Sequence, residues 1–256
     1  MRDLLEIAKH ASLEAGKVIL ALYNAVEFPE VLKAGELPSV RADKIAHSTI
    51  TQYLTQSNLP VLSEEGRNID FSERQGWEYF WLVDPLDGTK EFIHKNGEFT
   101  VNIALVKNNH PVGGVLYAPC TDTLYVGSTE TGVYKIEKGT TVQFSPLKNR
   151  IHFTDLLRKK QVAVMVSRSH LNDATNDFIS RFRQVELCPL GSSLKFMHLL
   201  ESKADLYPRF GTTMEWDTAA AHAILNASNR GIYKADLKSE LAYNKRDLMN
   251  PFFIAF

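Results

Sequence analysis

Two aspartates close an apolar run in the stretch "WLVDPLDGTKEF", residues 81–92, with Pro85 and Leu86 between Asp84 and Asp87. Carboxylates are hard oxygen donors, and several converging on one point suit Mg²⁺ better than a softer metal. Two more acidic positions could join them. Glu64, followed by Glu65, ends the short apolar run of "VLSEEG", and Asp217 stands in "MEWDTAAAHAIL" at the expected start of a helix. Gly88 would let the backbone approach a ligand closely, and the helix start at Asp217 is where backbone N–H groups can receive a phosphate. Each feature has a plainer reading: Asp87-Gly88 as a turn, Asp84-Pro85 as a strand stop, Glu64 as an exposed loop carboxylate, Asp217 as an N-cap. It is the combination that points to a site for cations and phosphate. The eight histidines form no HExxH or HxH pattern, which argues against zinc. The two-residue gap between the aspartates puts them out of register with the Asp-x-Asp loop of phosphatases that form an aspartyl-phosphate. Covalent catalysis by Asp84 is therefore set aside.

The elements that must position these residues can be read from hydrophobic periodicity. Leu4, Leu5, Ala8, Ala11, Ala15, Val18, Ile19 and Leu22 recur at helical spacing, so the first two dozen residues are expected to form an amphipathic helix. A second helix is expected to follow Asp43, carrying Ile45, Ile50, Tyr53 and Leu54. From Pro60 short β-rich runs take over ("PVLS", "WEYFWLVD", "FTVNIALV", "VGGVLYAP", "TLYVGS", "VYKIEK"), and turn-rich spacers such as "KNNHP" and "STETG" suggest antiparallel hairpins. Residues 139–160 are polar and aperiodic, and the expected lobe boundary lies there, dividing the chain into residues 1–145 and 146–256. Beyond it strand and helix patterns alternate: "VAVMVS" with a helix from about Asn172, "VEL" with one near Ser192, and "ADLYPRF" with one from Asp217. That alternation reads as a smaller α/β lobe.

The totals exclude several classes. With 256 residues the chain can bury a sizeable core. Its 29 Lys and Arg nearly cancel 30 Asp and Glu, so nucleic acid is not expected as a partner. The two cysteines, Cys120 and Cys188, form no CxxC pair and are expected to be buried free thiols in a reducing compartment. No segment has transmembrane length, and the first helix is too charged for a signal peptide. The expected location is the cytoplasm.

"DPLDGTKEF", the upstream "SEE" and the downstream "WDTAAAHA" resemble, in order and spacing, the signatures of the inositol monophosphatase-like, lithium-sensitive, Mg²⁺-dependent phosphatases. "VSRSH", "GSSLKF", "LYPRFG" and the Lys90-Glu91 pair look like the branch that removes the 3′-phosphate of adenosine 3′,5′-bisphosphate, the bacterial CysQ type. The resemblance runs from the first helix to "NPFF" near the C-terminus. It implies an α/β fold, more closely α+β: a sugar-phosphatase-like layered αβαβα arrangement with an antiparallel-sheet N-terminal lobe and a smaller α/β C-terminal lobe. It implies two or three Mg²⁺ held by Glu64, Asp84, Asp87, Asp217 and the Leu86 carbonyl, and hydrolysis by activated water. Thr89, its hydroxyl oriented by Asp43, would position that water, and the Gly88 and Thr89 N–H groups would hold the phosphate. Glu64, Leu86, Asp87 and Asp217 would also border the substrate. Ser192, Lys195, His170 and Arg209 would form the pocket for the second phosphate and the base. Ser192 read without the resemblance is a helix cap, and Lys195 and Arg209 are surface charges. The implied substrate is adenosine 3′,5′-bisphosphate, with activity extending to its 5′-phosphosulfate counterpart. Inositol monophosphate and fructose 1,6-bisphosphate are the alternatives within the fold, and a non-catalytic nucleotide binder is the alternative outside enzymes. Relatives of this kind also sit peripherally on the cytoplasmic face of the inner membrane, although no basic amphipathic helix is evident here. Three positions depart from the family pattern: Val40 where a threonine is usual, Ala221 where a glycine is usual, and "NASNRG" in place of a glycine pair.

Overall fold

The computed structural model describes residues 1–25, 37–168 and 172–256. Helices α1 (Arg2–Ala25) and α2 (Pro38–Leu54) lead into β1 (Val61–Ser63), α3 (Phe71–Arg74), β2 (Tyr79–Asp87) and α4 (Thr89–Ile93). The meander β3 (Thr100–Lys107), β4 (His110–Ala118), β5 (Thr123–Ser128), β6 (Gly132–Glu137) and β7 (Thr140–Phe144) follows. Then come α5 (Phe153–Arg158), β8 (Val162–Val166), α6 (Asp173–Ile179), β9 (Val185–Pro189), α7 (Leu194–Leu200), β10 (Tyr207–Arg209), α8 (Trp216–Ala227), β11 (Ile232–Lys234) and β12 (Phe253–Ala255).

Strands β1 to β7 form one sheet in sequence order, antiparallel except for the parallel pair β1 and β2. The expectation of hairpins throughout is thus corrected at its first step. Fifteen residues carrying α3 connect Ser63 to Tyr79, long enough to cross over instead of turning back. The turn at "KNNHP" is as tight as expected, with Asn108 and Asn109 both in the left-handed region (φ 47° and 65°), as a two-residue hairpin turn requires. Strand β7 lies in the stretch expected to be irregular. It is an edge strand exposed on both faces, so no alternation of burial is imprinted on its sequence. Helix α2 starts at Pro38, not after Asp43: Pro38 takes the first turn, where its ring is tolerated. Asp43 consequently points from within the helix, and it is buried.

The two faces of the seven-stranded sheet are covered by different helices. Trp81, Val83, Val101 and Ile103 meet α1 and α2 through Ala11, Ala15, Ile19, Ala46 and Ile50. Leu82, Ala104, Leu116 and Tyr125, on the other face, meet α8 through Ala219, Ala220, Ile224 and Leu225. The approach of α8 is so close that a Cβ at Gly114 would stand 2.1 Å from the Ala220 carbonyl oxygen. Only glycine is accommodated there, and the contact fixes the height of the α8 N-terminus above the sheet. Ala221 is buried at the same interface. The remaining strands form a parallel pair, β8 with β9, and an antiparallel trio in the order β10-β12-β11. Neither thiol is buried as expected: Cys120 is exposed and Cys188 half-buried, and both are free.

Candidate active site

Residues three apart on a regular strand point to opposite faces, so Asp84 and Asp87 should not share a site. The register of β2 resolves this. Asp84 pairs with Asn102 and Asp87 with Thr100, leaving Pro85 and Leu86 opposite Val101 alone. This bulge reverses the alternation and brings both carboxylates to one side. Proline suits the position because a bulge releases a residue from the ladder. The Leu86 N–H is given to Asp84 Oδ1 at 3.1 Å, and its side chain is buried in the core, so its carbonyl is the only group a cation could use. Beyond Asp87, Gly88 has φ 97°, a conformation that L side chains rarely adopt, and from it α4 begins with Thr89.

Glu64 follows β1, and its N–H continues the parallel pairing by donating to the Val83 carbonyl at 3.1 Å. Asp217 lies in the first turn of α8, where its Oδ2 accepts the Met214 N–H at 2.9 Å. The N-cap position is Glu215, so Asp217 is not the cap its bland reading supposed. One carboxylate oxygen from each of Glu64, Asp84 and Asp217 lies within 4.8 Å of the others. Asp87 faces this trio but commits Oδ2 elsewhere: it accepts from the Ser193 N–H at 2.6 Å and lies 2.8 Å from Ser192 Oγ and 2.7 Å from Ser193 Oγ. Ser193 Oγ also lies 2.9 Å from the Asp217 carbonyl. The α7 N-terminus thereby ties Asp87 to Asp217.

The electrostatics are those of crowded, partly buried carboxylates. Burial, then Asp87, Glu64, Asp217 and Asp43, push Asp84 well above the carboxylate range. Burial and Asp87 push Asp217 to about 8, and burial followed by Glu64 and Glu65 pushes Asp43 to about 8. Glu64 is exposed over its length, but crowding at its carboxylate, then Asp87, raise it to about 7. Asp43 Oδ1 is buried with no hydrogen-bond partner, so it makes no bond there to the exposed Thr89 whose hydroxyl it is expected to orient. Four carboxylates with few donors among them fit a hard divalent cation, which would offset their mutual repulsion.

A cleft of about 240 Å³ opens above the acidic floor, lined by Asp87, Gly88, Thr89, Asp217, Lys195 and Arg209 among others. Lys195 is buried, not a surface charge. Its Nζ donates to the Ser192 and Leu190 carbonyls at 2.6 and 3.1 Å, and burial lowers it to about 8. Arg209 is half-buried, donates to the Thr212 carbonyl at 3.2 Å, and keeps a buried, unpartnered Nε. Ser192 has φ 52° and does not cap α7, a position taken by Ser193. Its hydroxyl serves Asp87. His170 lies outside the described residues. Ser193, Thr100 and Asn102 are additions that the sequence reading passed over. Asn102 Nδ2 donates to Ser193 Oγ at 3.0 Å, and Thr100 Oγ1 lies 2.6 Å from Ser192 Oγ. The available signal was two polar residues at alternate positions in the otherwise apolar "FTVNIALV".

Comparison with known proteins identifies the family of the chain. The family model described as the inositol monophosphatase family matches residues 1–254. The chain is 39% identical over 254 residues to the 3′(2′),5′-bisphosphate nucleotidase CysQ of Salmonella typhimurium, covering 98% of each chain. The crystal structure of CysQ from Bacteroides thetaiotaomicron, described as a bacterial member of the inositol monophosphatase family, superposes with a TM-score of 0.86 at 42% identity. That match covers 98% of this chain and 96% of that one. The inositol monophosphatase II of Staphylococcus aureus shares the fold, with a TM-score of 0.75 at 21% identity over 100% and 89% of the two chains. Among the described residues no helix is long and apolar enough to cross a membrane.

Proposed function

The chain belongs to the inositol monophosphatase family, and from that premise we propose that its cleft is the active site of a Mg²⁺-dependent 3′(2′),5′-bisphosphate nucleotidase. The reaction is hydrolysis of the 3′-phosphate of adenosine 3′,5′-bisphosphate to AMP and phosphate, with the 5′-phosphosulfate counterpart as a second substrate. One observation carries this: a single cleft is lined by Asp87 and Asp217, the second of which converges with Glu64 and Asp84, and by the cations of Lys195 and Arg209. A substrate with two separate anionic groups uses both ends, whereas inositol monophosphate has only one to offer.

Glu64, Asp84, Asp87, Asp217 and the Leu86 carbonyl would hold the cations, two or three in number. Bound there, divalent ions supply Lewis acidity to phosphoryl oxygens and ease the deprotonation of water. The protein's own groups do the rest. Gly88 turns the chain at the cleft lining, where the Gly88 and Thr89 N–H groups would donate to the phosphate. The Ser192 and Ser193 contacts hold Asp87 in place. Lys195, fixed by two carbonyls, and the Arg209 guanidinium would receive the second anionic group, and charge-assisted bonds of this kind are the strong ones. A water-soluble nucleotide is the only partner this requires; no membrane surface and no nucleic acid enters.

The decisive measurement is kcat/KM for adenosine 3′,5′-bisphosphate beside inositol 1-phosphate and fructose 1,6-bisphosphate, because discrimination resides in that ratio. The nucleotide should lead, with turnover abolished by chelation of Mg²⁺. Equal or higher kcat/KM for inositol 1-phosphate would move the assignment to that branch, and no phosphate release at any Mg²⁺ concentration would overturn it.

A further inference from the structure

The "NPFF" segment lies far from the acidic floor in sequence, yet its first residue holds the turn that carries Asp217. Asn250 is buried. Its Nδ2 donates to the Met214 carbonyl at 2.6 Å and to Thr218 Oγ1 at 3.1 Å, and lies 3.4 Å from Thr213 Oγ1. Its backbone N–H donates to the Thr213 carbonyl at 2.8 Å. These contacts bracket Asp217, whose Oδ2 accepts the Met214 N–H. The Met214 carbonyl can only accept, so the amide nitrogen must face it. The cost is an Asn250 Oδ1 buried with no partner.

Thr218 belongs to a longer chain. Its Oγ1 lies 3.2 Å from the Tyr243 hydroxyl, which lies 2.9 Å from His222 Nδ1; His222 Nε2 lies 3.2 Å from Glu240 Oε2, and Glu240 pairs with Arg150 at 2.5 Å. Burial lowers the basicity of His222, so the ring is neutral near pH 7. With its proton on Nε2 facing the carboxylate, the donors can run in one direction along the chain, the Glu215 carbonyl at 3.2 Å being the other acceptor open to the single Thr218 proton. Asn250 donates to Thr218, Thr218 to Tyr243, Tyr243 to His222 Nδ1, and His222 Nε2 to Glu240. Bonds aligned in one direction polarise one another, and this chain fixes which lone pair Thr218 presents to Asn250.

We propose that Asn250, aligned by the Thr218-Tyr243-His222-Glu240 chain, is a positioning residue that holds the Met214–Asp217 turn and so sets the Asp217 carboxylate in metal-binding register; this rests on Asp217 being a ligand, as proposed above. Partners of this kind change metal affinity by about 10–100-fold when removed.

The test is Mn²⁺ binding by titration calorimetry on the wild type, Asp217→Asn, Asn250→Ala, the double variant and Tyr243→Phe, with thermal unfolding of each. Asn250→Ala should weaken Mn²⁺ binding by about 10–100-fold. In the double variant it should add nothing to the loss from Asp217→Asn, because the two act through one group. Tyr243→Phe, which deletes one hydroxyl and keeps the ring, should weaken binding by about 2–10-fold, the worth of one hydrogen bond. Wild-type Mn²⁺ affinity in Asn250→Ala with only a lower Tm, or losses that add in the double variant, would overturn the role of Asn250. If Asn250→Ala does not fold, wild-type affinity in Tyr243→Phe does the same. Wild-type affinity in Asp217→Asn would instead remove Asp217 as a ligand, and the inference with it.

Discussion

Glu215 and Asp217 are two residues apart on one turn, the first buried and the second half-buried in the cleft lining, and they have opposite fates. Glu215 is completely buried and surrounded by donors. It accepts the Asn244 and Lys245 N–H groups at 2.5 and 3.0 Å and pairs with the Lys245 ammonium. Arg74 braces the same loop by donating to Asn244 Oδ1 at 2.7 Å. Burial raises Glu215, and Lys245 and the backbone donors pull against it. Asp217 has a single backbone donor and meets the repulsion of Asp87 and Glu64. The first carboxylate is spent on joining α8 to residues 244–245. The second is left short of partners, the condition in which a carboxylate gains most from a cation. A buried charge therefore identifies a site only when its partners have been counted.

Substitution should separate the two groups most sharply. Asp84→Asn, in the under-partnered set, should lower kcat for the nucleotide by about 10²–10³-fold while raising the Tm of the metal-free protein, because a repelling charge is gone. Glu215→Gln should leave kcat nearly intact and cost about 1–3 kcal/mol in urea unfolding. The contrast fails if Asp84→Asn destabilises the metal-free fold, or if Glu215→Gln abolishes turnover in a folded protein.

pH probes the same difference. Asp43, Glu64 and Asp217 are raised to about 8, 7 and 8 from ordinary carboxylate values near 4. A raised group stabilises the fold fully below its unfolded pKa, and that contribution is lost as pH climbs through its folded one. The metal-free protein should accordingly lose Tm steadily from about pH 4 to pH 8, and saturating Mg²⁺ should flatten the slope. A flat profile without metal would show that the carboxylates do not repel one another as described.

A smaller effect is expected on the basic wall. Lys195→Ala should reduce kcat/KM for adenosine 3′,5′-bisphosphate about 10–100-fold, the worth of a charged hydrogen bond, with little change for inositol 1-phosphate. In the wild type KM for the bisphosphate should rise above about pH 8, where the Lys195 cation is lost. Equal losses on both substrates would make Lys195 a structural strut. At the bottom of the scale, Arg67→Ala removes an exposed pair with Glu73 and should leave Tm unchanged within error, since solvated pairs contribute little.

Legibility followed burial. Helix α1 announced itself through a one-sided apolar stripe, and β2 to β6 through apolar runs between turn residues. Strand β7, wetted on both faces, left no pattern, and α2 hid its start behind a proline that reads as a breaker but serves as a first turn. In the cleft, residue types were readable and partners were not. Asp87 looked like one more metal carboxylate, and contacts from residues 192–193, more than a hundred positions away, tie its Oδ2 to the serine pair. Lys195 could pass for a surface charge because its burial depends on α7 packing against the sheet and β12. Asn250 gave no sign at all, since an asparagine before a proline is ordinary turn chemistry.

The sequence by itself determined the inventory: three carboxylates at the ends of apolar runs and a fourth at the start of a helix, a glycine able to turn the chain just after Asp87, and a family pattern spanning the chain. Types and local spacing are written in the order of residues, and so is the choice of a hard cation. What only the tertiary structure decided was convergence. A bulge opposite Val101 turned Asp84 and Asp87 to one side, and a glycine at 114 let α8 descend far enough to bring Asp217 to them. Repulsion among carboxylates exists only at short range, so the property that makes this stretch a site appeared when the fold brought them together.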